Sequence, residues 1–520
     1  MDHELQQGLP APAPLTVDDG MVSLDDLLAV AAKRRQARLS SQPAYLAKLQ
    51  RGRTIIETSL SSGHKIYGVS TGVGYSSGTT IDADHTAEFA YQIIRQHGCG
   101  LGEMLTAEQA RAVVFARLVS LAKGYSAVRP ELLHALCDLL NHDIVPLIPS
   151  LGSVGASGDL TPLSYVAAAL AGEREVLYHG TVCPAAEALR QEGLAVHHFV
   201  PKESLAIMNG TAMMTALGAL VTRRLDITLT LCERATALAA EVLHGRSQAY
   251  ALLAHQLKHH PGQISSAATI RAALEGSLMI DSGKEEGRII QDPYSLRCAP
   301  HVLGAARDAL LWTEEVLTRE LNSVNDNPLV DPERGEMLFA GNFYGGHIAL
   351  TMDLLKIAAA SVSDLVDRQY ALLVDARLNV GLPETLVGYH GCGVKALQLT
   401  SSALAALAVQ RSAADTTLSR PTEANNQDKV SMGANGALNC GAVVTLLQQV
   451  LAALLIALSN AAALRDESRF APAGKRLLRA IRRHSPPLTA DRRLDHDLRG
   501  LTTAIDCGEL VAAAAPPTAA

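Results

Sequence analysis

The chain has 520 residues, of which 48% are hydrophobic and 19% are charged, so its main part is predicted to be globular and not disordered. The formal net charge of −7, with no basic stripe along the sequence, argues against a general nucleic-acid-binding protein. Aromatic residues make up only 4%, and the apolar residues are mostly alanine, leucine and valine, which favours helices over sheets.

Both ends of the sequence have the composition of linkers. The stretch "MDHELQQGLPAPAPL" opens the chain and "AAAAPPTAA" closes it, so we expect flexible tails over residues 1–24 and 511–520. Eight cysteines are scattered without a CxxC pair, and no signal peptide precedes them. This usage indicates reduced thiols, no structural zinc and a cytoplasmic protein.

Between the tails, helix signals dominate. The run at 105–124 opens with a capping box, in which Thr106 and Gln109 satisfy each other's backbone amides, and its valines and leucines fall largely on one face. A second long run follows Pro300. The most apolar segment, 441–464, is long enough to span a membrane, but polar residues interrupt it, so we interpret it as a core helix of a bundle.

The stretch "GSVGASGDLTPLSY" at 152–165 places Ser157 among glycines, which marks backbone that turns sharply or is approached closely. It is not a nucleophile elbow, because Asp159 stands where GxSxG requires glycine, and it is neither a P-loop nor GxGxxG. His255 and His259 have zinc-like spacing but lack a third ligand, so we interpret them as polar surface residues and expect no metal or nucleotide.

Five further polar stretches interrupt the helical sequence. Each one alone is consistent with a satisfied buried polar residue or a loop. Together with the serine loop they indicate one active site. The candidate residues in them are Tyr67, Asn209, Gln291, Tyr294, Arg297, Phe343, Glu423 and Gln427.

These motifs resemble those of the ammonia-lyases and aminomutases that act on histidine, phenylalanine and tyrosine, over about residues 25–510. In that family an Ala-Ser-Gly triplet cyclises into methylidene-imidazolone, an electrophilic prosthetic group. The resemblance implies this fate for Ala156, Ser157 and Gly158, with Ser157 as a precursor and not a nucleophile. Glycine and alanine beside the serine minimise the steric obstacle to bending the backbone into a ring.

The resemblance also implies a fold and an assembly. We expect an all-α protein of long helices, with an N-terminal region at 25–208 that holds a lid loop and the serine loop. A long-helix bundle region at 209–510 follows it. Four chains of this family associate, and each active site draws residues from more than one chain, so a homotetramer with shared sites is implied.

Roles for the polar residues follow from the same resemblance. Arg297 matches the arginine that binds the substrate carboxylate, and its planar fork suits that group. Asn209 matches a residue that assists there and supports the prosthetic group, and Tyr67 matches the base that removes the β-proton. The remaining matches line the site or lie near the substrate amine: Tyr294, Gln291, Phe343 and Glu423.

The substrate is predicted from two places. Gln96 and His97 occupy the position that contacts the substrate ring in the family, and His97 aligns with the histidine of histidine lyases. Gln427 is instead what phenylalanine and tyrosine enzymes carry. Polar groups buried against a bare phenyl ring would stay unpaired. We therefore rank L-tyrosine or L-DOPA first, L-histidine second and L-phenylalanine third, and an aromatic 2,3-aminomutase and an inactive helical scaffold stay as alternatives.

Overall fold

The computed structural model describes residues 12–282 and 290–515, and helices dominate it, as the sequence predicted. The helices are α1 (Leu24–Ala31), α2 (Pro43–Ser61), α3 (Thr86–Gln96), α4 (Ala107–Ala122), α5 (Pro130–Asn141), α6 (Leu160–Leu170), α7 (Ala185–Gln191), α8 (Glu203–Met208), α9 (Ala212–Val242), α10 (Leu252–Gln256), α11 (Pro261–Ala273), α12 (Tyr294–Arg297), α13 (Ala299–Leu321), α14 (Gly346–Val374), α15 (Lys395–Gln410), α16 (Gly433–Ala463), α17 (Pro472–His484), α18 (Asp495–Asp506) and α19 (Glu509–Ala513).

Short strands form four small sheets and no large one among the described residues. β1 pairs with β2 in parallel, β3 with β5 and β8 with β9 are antiparallel pairs, and β6 lies between β4 and β7. The strands are β1 (Leu15–Val17), β2 (Ala37–Leu39), β3 (Leu101–Met104), β4 (Ile144–Pro146), β5 (Pro149–Leu151), β6 (Glu175–Tyr178), β7 (Thr181–Pro184), β8 (Leu329–Asp331) and β9 (Glu336–Leu338). The all-α class is therefore confirmed.

Parts of both predicted tails belong to the fold. Within residues 1–24, β1 pairs with β2, and Val22 is buried with its N–H donated to Asn322 Oδ1 at 2.8 Å. Within residues 511–520, α19 continues to Ala513. Composition alone missed these contacts because they are made by short segments with distant partners. Residues 1–11 and 516–520 lie outside the described residues.

The chain divides into two compact units, each made of several segments. Unit 1 consists of Met1–Leu220, Glu314–Met352 and Ala414–Leu438, and unit 2 of the segments between and after them. All nine strands described belong to unit 1. The sequence analysis predicted one boundary, between residues 208 and 209, whereas each unit consists of three separate segments of the chain.

Helix α4 lies at the centre of unit 1 and packs against α1 and α5. The capping box is confirmed, because Thr106 Oγ1 accepts the N–H of Gln109 at 3.3 Å and Gln109 Oε1 accepts the N–H of Thr106 at 2.9 Å. The one-sided apolar face predicted for this helix is wrong, since every residue from Ala110 to Ala122 is buried. Arg117 is among them and is fully buried.

Unit 2 contains the apolar helix α16 over most of its length. This helix alone among the described ones is long and apolar enough to cross a membrane, but 78% of its most apolar window is buried inside the protein. That burial is what a core helix shows, as the sequence predicted. His255, predicted on the surface, is instead buried. Its Nε2 lies 3.0 Å from Ala249 O and its Nδ1 lies 2.9 Å from Gln263 Nε2, so both ring nitrogens have partners inside the protein.

We expect the substitution Leu454→Ala in α16 to lower the free energy of unfolding by about 2–5 kcal/mol, because it leaves a cavity at a fully buried position. Leu253→Ala removes the same atoms from a side chain that is 66% exposed and should change it by less than about 0.5 kcal/mol. Urea unfolding followed by circular dichroism at one protein concentration measures both. Equal losses in the two variants would contradict this placement of α16.

Candidate active site

The loop between β5 and α6 carries Ser157, and its shape requires glycine. Gly155 and Gly158 have φ of +69° and +70°, in the left-handed region. A Cβ on Gly155 would lie 2.1 Å from Ser431 Oγ, and one on Gly158 would lie 2.2 Å from the carbonyl oxygen of Gly210. No side chain fits at either position. The backbone of the loop therefore packs directly against Ser431 and Gly210.

Asp159 attaches the end of this loop to the start of α9. Its N–H donates to Gly210 O at 2.7 Å, and its carboxylate accepts the hydroxyl of Ser153 and the N–H of Met214, each at 2.9 Å. Burial raises the pKa of Asp159 to about 6, and these hydrogen bonds oppose the rise. The carboxyl group thus acts as a buried structural anchor.

The opposite side of the loop rests on the segment just before α16. Ser431 donates to Gly155 O through its N–H at 3.3 Å and through its hydroxyl at 3.2 Å. The N–H of Met432 donates to Val154 O at 3.0 Å. Gly155 and Ser431 are 276 residues apart in the chain. The loop is consequently fixed from both sides.

A cavity opens over Ser157, and seven of the predicted site residues line it together. The space within it is about 20 Å³ in the single chain, room for one or two water molecules. All of the lining residues belong to unit 1. They are Tyr67, Val73, Gly74, Ile93, His97, Ser157, Leu160, Leu205, Asn209, Phe343, Glu423 and Gln427. Ala156 and Gly158 flank Ser157 in the loop.

Tyr67 lies at the start of the glycine-rich segment that was predicted to be a lid. Its hydroxyl oxygen accepts the N–H of Gly74 at 2.9 Å, which closes the segment on itself. Burial raises the pKa of Tyr67, the Gly74 hydrogen bond lowers it, and the charge of Glu423 raises it further. In the single chain the phenol is thus held in its protonated form.

Glu423 reaches this segment from an unusual turn. Its carboxylate is so close to Gly74 that a Cβ there would lie 2.7 Å from Oε2. Glu423, Ala424 and Asn425 have φ of +49°, +49° and +67°, three left-handed residues in a row without a glycine. Each such residue costs about 1–2 kcal/mol. Backbone strain of this kind is typical of functional sites.

His97 faces the cavity, whereas its predicted partner Gln96 does not. Gln96 is the last residue of α3 and is exposed, and His97 caps the helix. His97 Nδ1 lies 2.8 Å from Ile93 O. A carbonyl oxygen requires a donor, so the neutral ring carries its proton on Nδ1 and Nε2 is an acceptor. The predicted Gln96–His97 pair is therefore reduced to His97 at the cavity.

Gln427 contacts Ser157 directly. Its Nε2 donates to Ser157 Oγ at 3.2 Å, and its Oε1 accepts the hydroxyl of Thr422 at 2.7 Å. Thr422 thus fixes which end of the amide faces the serine. The sequence analysis did not select Thr422. Its position directly before Glu423, a selected residue, could have indicated that it belongs to the site.

Asn209 follows α8 and is almost fully buried at the cavity wall. Its Nδ2 donates to Asp326 Oδ1 at 3.3 Å and to Asn327 O at 3.0 Å. Its Oδ1 has no hydrogen-bond partner among the described residues. As bonded here, Asn209 offers an acceptor, whereas a carboxylate requires a donor. In this orientation Asn209 does not support the predicted role in binding the substrate carboxylate.

The apolar walls of the cavity were missed in the sequence analysis. Leu205 lies four residues before Asn209, and Ile93 lies four residues before His97, so each shares a side of the chain with a selected residue. Leu160 directly follows the serine loop. Helical spacing from the polar residues would have identified the first two. Phe343, which was selected, lines the cavity from the loop before α14.

Gln291, Tyr294 and Arg297 belong to unit 2 and do not line the cavity in the single chain. Tyr294 is 71% exposed, and Gln291 is exposed as well. Arg297 Nε donates to Asp292 O at 3.2 Å, and its guanidinium lies 4.7 Å from the centre of the Tyr294 ring. These residues form a separate surface group beside α12.

The cavity contains no cation. Its lining includes the carboxylate of Glu423 but neither lysine nor arginine. Across residues 12–282 and 290–515, no group of three or more His, Cys, Asp and Glu side chains is placed to hold a metal ion. Any carboxylate bound in this cavity therefore needs a positive charge from outside the set of lining residues.

Comparisons with known proteins identify the family of this chain. A family model described as aromatic amino acid lyase matches residues 22–483. The histidine ammonia-lyase of Aromatoleum aromaticum is 37% identical, over 94% of this chain and 93% of its own length. The tyrosine ammonia-lyase of Cereibacter sphaeroides is also 37% identical, over 95% and 97%.

Among solved structures, a tyrosine aminomutase from Streptomyces globisporus has a TM-score of 0.91 and 35% identity, covering 96% of this chain and 98% of its own. The relatives thus differ in substrate and in outcome, and they share the fold and nearly the full length. The family match extends over most of the chain. The chain belongs to the aromatic amino acid lyase family and is a carbon–nitrogen lyase.

Proposed function

We propose that this protein is an ammonia-lyase that converts L-tyrosine or L-DOPA into the trans-arylacrylate and ammonia. The observation that carries the proposal is the cavity in which Tyr67, Ser157 and His97 meet. Ser157 offers a precursor for an electrophile, Tyr67 a phenol and His97 a ring acceptor. These are groups that can act on the amino acid part and on the ring of an arylalanine.

The residues around Ser157 fit methylidene-imidazolone. Ring formation requires the nitrogen of Gly158 to approach the carbonyl carbon of Ala156, and Gly158 has the φ and the lack of Cβ that such bending needs. Ala156, Ser157 and Gly158 would become the group itself, and Gln427 would contact it. When formed, the group supplies an electrophile that no ordinary side chain provides.

The chain's own residues account for the rest of the elimination. Tyr67, as phenolate, removes the β-proton, and the C–H electron pair forms the double bond while nitrogen leaves with the electrons of the C–N bond. Glu423, whose carboxylate lies close to Gly74 in the Tyr67 segment, attracts the substrate ammonium. Burial and Glu423 raise the pKa of Tyr67, so the base requires a nearby positive charge to be active.

Arg297 from another copy of the chain would supply that charge and bind the carboxylate as a fork. This assignment makes the site shared between copies, as it would be in a homotetramer. Its support is the absence of a cation from the cavity lining and the exposure of the Tyr294–Arg297 group. Gln291 and Tyr294 would enter the site with it.

Exposed apolar helix faces support association of several copies. On α14, Leu350, Leu354 and Ile357 are exposed at helical spacing, and on α15 Leu399 and Val409 are exposed. Contiguous apolar surface on a soluble enzyme is typical of an interface. All eight cysteines lie within the described residues and none of them forms a disulfide there, which suits the cytoplasm.

Ring recognition favours a phenol. His97 Nε2 accepts a hydrogen bond, which a tyrosine or catechol hydroxyl donates and a phenyl ring cannot. An imidazole N–H also donates, so a histidine lyase that forms urocanate is the second candidate, and the resemblance to histidine ammonia-lyases favours it. An aromatic 2,3-aminomutase shares the same cavity and differs in returning the amine to the β-carbon.

The prosthetic group is tested by mass. We expect intact purified protein to be lighter than its sequence mass by two water molecules, one lost on cyclisation and one on dehydration. Ser157→Ala should lose the near-ultraviolet absorbance of the group and its turnover. A wild-type protein of full mass that still turns over tyrosine would refute the assignment.

Site sharing is tested by complementation. We expect Tyr67→Phe and Arg297→Lys each to lower kcat/KM for tyrosine by about 100-fold or more, because each removes a group that acts in the transition state. When the two variants are co-expressed, random mixing of copies should restore about a quarter of the wild-type activity, since a site then receives both native residues. The control is mixing of the separately purified, non-exchanging proteins. No recovery on co-expression would rule out a shared site.

Substrate choice is tested at His97. We expect His97→Leu to lower the tyrosine-to-phenylalanine ratio of kcat/KM by roughly tenfold or more, because an unpaired phenol hydroxyl costs about 1–3 kcal/mol. Gln96→Leu is the matched control and should leave the ratio unchanged. Products are identified by mass spectrometry, which also separates lyase from aminomutase. Histidine as the best wild-type substrate would overturn the ranking.

A further inference from the structure

A buried ion pair stands behind Asn209 and determines which way its amide faces. Both hydrogens of Asn209 Nδ2 are committed, to Asp326 Oδ1 at 3.3 Å and to Asn327 O at 3.0 Å. Neither Asp326 nor Asn327 lines the cavity, and the amide nitrogen faces these two acceptors while the oxygen does not. This leaves Asn209 Oδ1, which has no partner among the described residues, as the free polar atom.

Asp326 is held in turn by Lys202. Its Oδ2 lies 2.6 Å from Lys202 Nζ, and both side chains are completely buried. Its Oδ1 also accepts the N–H of Asn327 at 2.7 Å. Burial lowers the pKa of Lys202 and the charge of Asp326 opposes this effect. These two bonds, to Lys202 and to the Asn327 N–H, hold the Asp326 carboxylate in the orientation that accepts from Asn209.

The pair also fixes the helix that presents Asn209. Lys202 immediately precedes α8, and Asn209 immediately follows it. At the far end of α8, the fully buried Arg117 donates to the carbonyl oxygens of Ala206, Asn209 and Asn325. Both ends of α8 are thereby tied to the segment that carries Asp326.

We propose that Asp326, held by Lys202, is a positioning residue that keeps the Asn209 carboxamide with its oxygen available to the bound substrate or to the group formed at Ser157. The proposal rests on the proposed function of the cavity that Asn209 and Ser157 line together, and it assigns to Asn209 a part in that reaction. It goes beyond that role because neither Asp326 nor Lys202 lines the cavity. A purely structural ion pair is the alternative, and it makes a different kinetic prediction.

The test is a double-mutant cycle on kcat and KM for tyrosine, normalised to the content of prosthetic group measured by its absorbance. Asp326→Asn leaves the Asn209 amide free to turn, and we expect kcat/KM to fall by about 10- to 100-fold. Because Asp326 acts through Asn209, Asn209→Ala with Asp326→Asn should be no worse than Asn209→Ala alone, within about threefold.

Two further variants keep the proposal falsifiable. Lys202→Arg retains the positive charge but displaces the Asp326 carboxylate. This variant should lower kcat/KM in the wild-type background and not in the Asn209→Ala background. If Asp326→Asn does not fold, Lys202→Arg takes its place in the cycle. Glu233→Gln makes the same carboxylate-to-amide change in a buried pair with Arg307, in unit 2. It should lower the unfolding midpoint without changing normalised kcat/KM more than about twofold.

The outcomes separate the two claims. Multiplying losses in the cycle, or an Asp326 variant of normal normalised kcat/KM, would overturn the positioning role. An Asn209→Ala variant of normal activity would instead refute the proposed role of Asn209 itself. A loss that appears only in the unfolding midpoint, equal to that of Glu233→Gln, would assign the pair to stability alone.

Discussion

The contact of the Gly158 and Gly210 backbones is the constraint on which the site depends. A Cβ on Gly158 would lie 2.2 Å from Gly210 O, and one on Gly210 would lie 2.0 Å from Arg117 Nη1. Backbone that packs this closely restricts the Ser157 loop, the segment before α9 and the end of α8, which Asn209 follows. One contact between two glycines therefore fixes the positions of the serine and the asparagine together.

Charge is distributed unevenly around this contact. Outside the cavity lining, Lys202 and Asp326 form a buried ion pair, and the buried Arg117 donates to the carbonyl oxygen of the neighbouring Asn325. In the cavity itself, the carboxylate of Glu423 has no cation beside it. The Lys202–Asp326 pair is thus satisfied within unit 1, whereas the cavity lining supplies no cation for a bound carboxylate. Within this unit, the stability of the fold requires paired buried charges, whereas the proposed reaction requires an unpaired carboxylate in the cavity.

Local patterns in the sequence predicted local structure well. The capping box at Thr106 and Gln109 depends on residues three apart, and the glycines around Ser157 report their own backbone angles. The burial of α4 on all sides depends on neighbours elsewhere in the chain, so its residues carry no signal of it. Asp326 lies 117 residues from Asn209, and only the fold brings the two together. Gln96 and His97 are adjacent, yet Gln96 is exposed and His97 lines the cavity, a difference that only the fold determines.

The left-handed turn at Glu423, Ala424 and Asn425 has a consequence for how such a protein can change. Glycine at Ala424 would relieve strain and raise stability, since the angle of +49° costs glycine almost nothing. The same change would loosen the carboxylate that the turn presents toward Gly74. Stability and activity are thus opposed at one residue, and selection for heat resistance alone would erode catalysis there first.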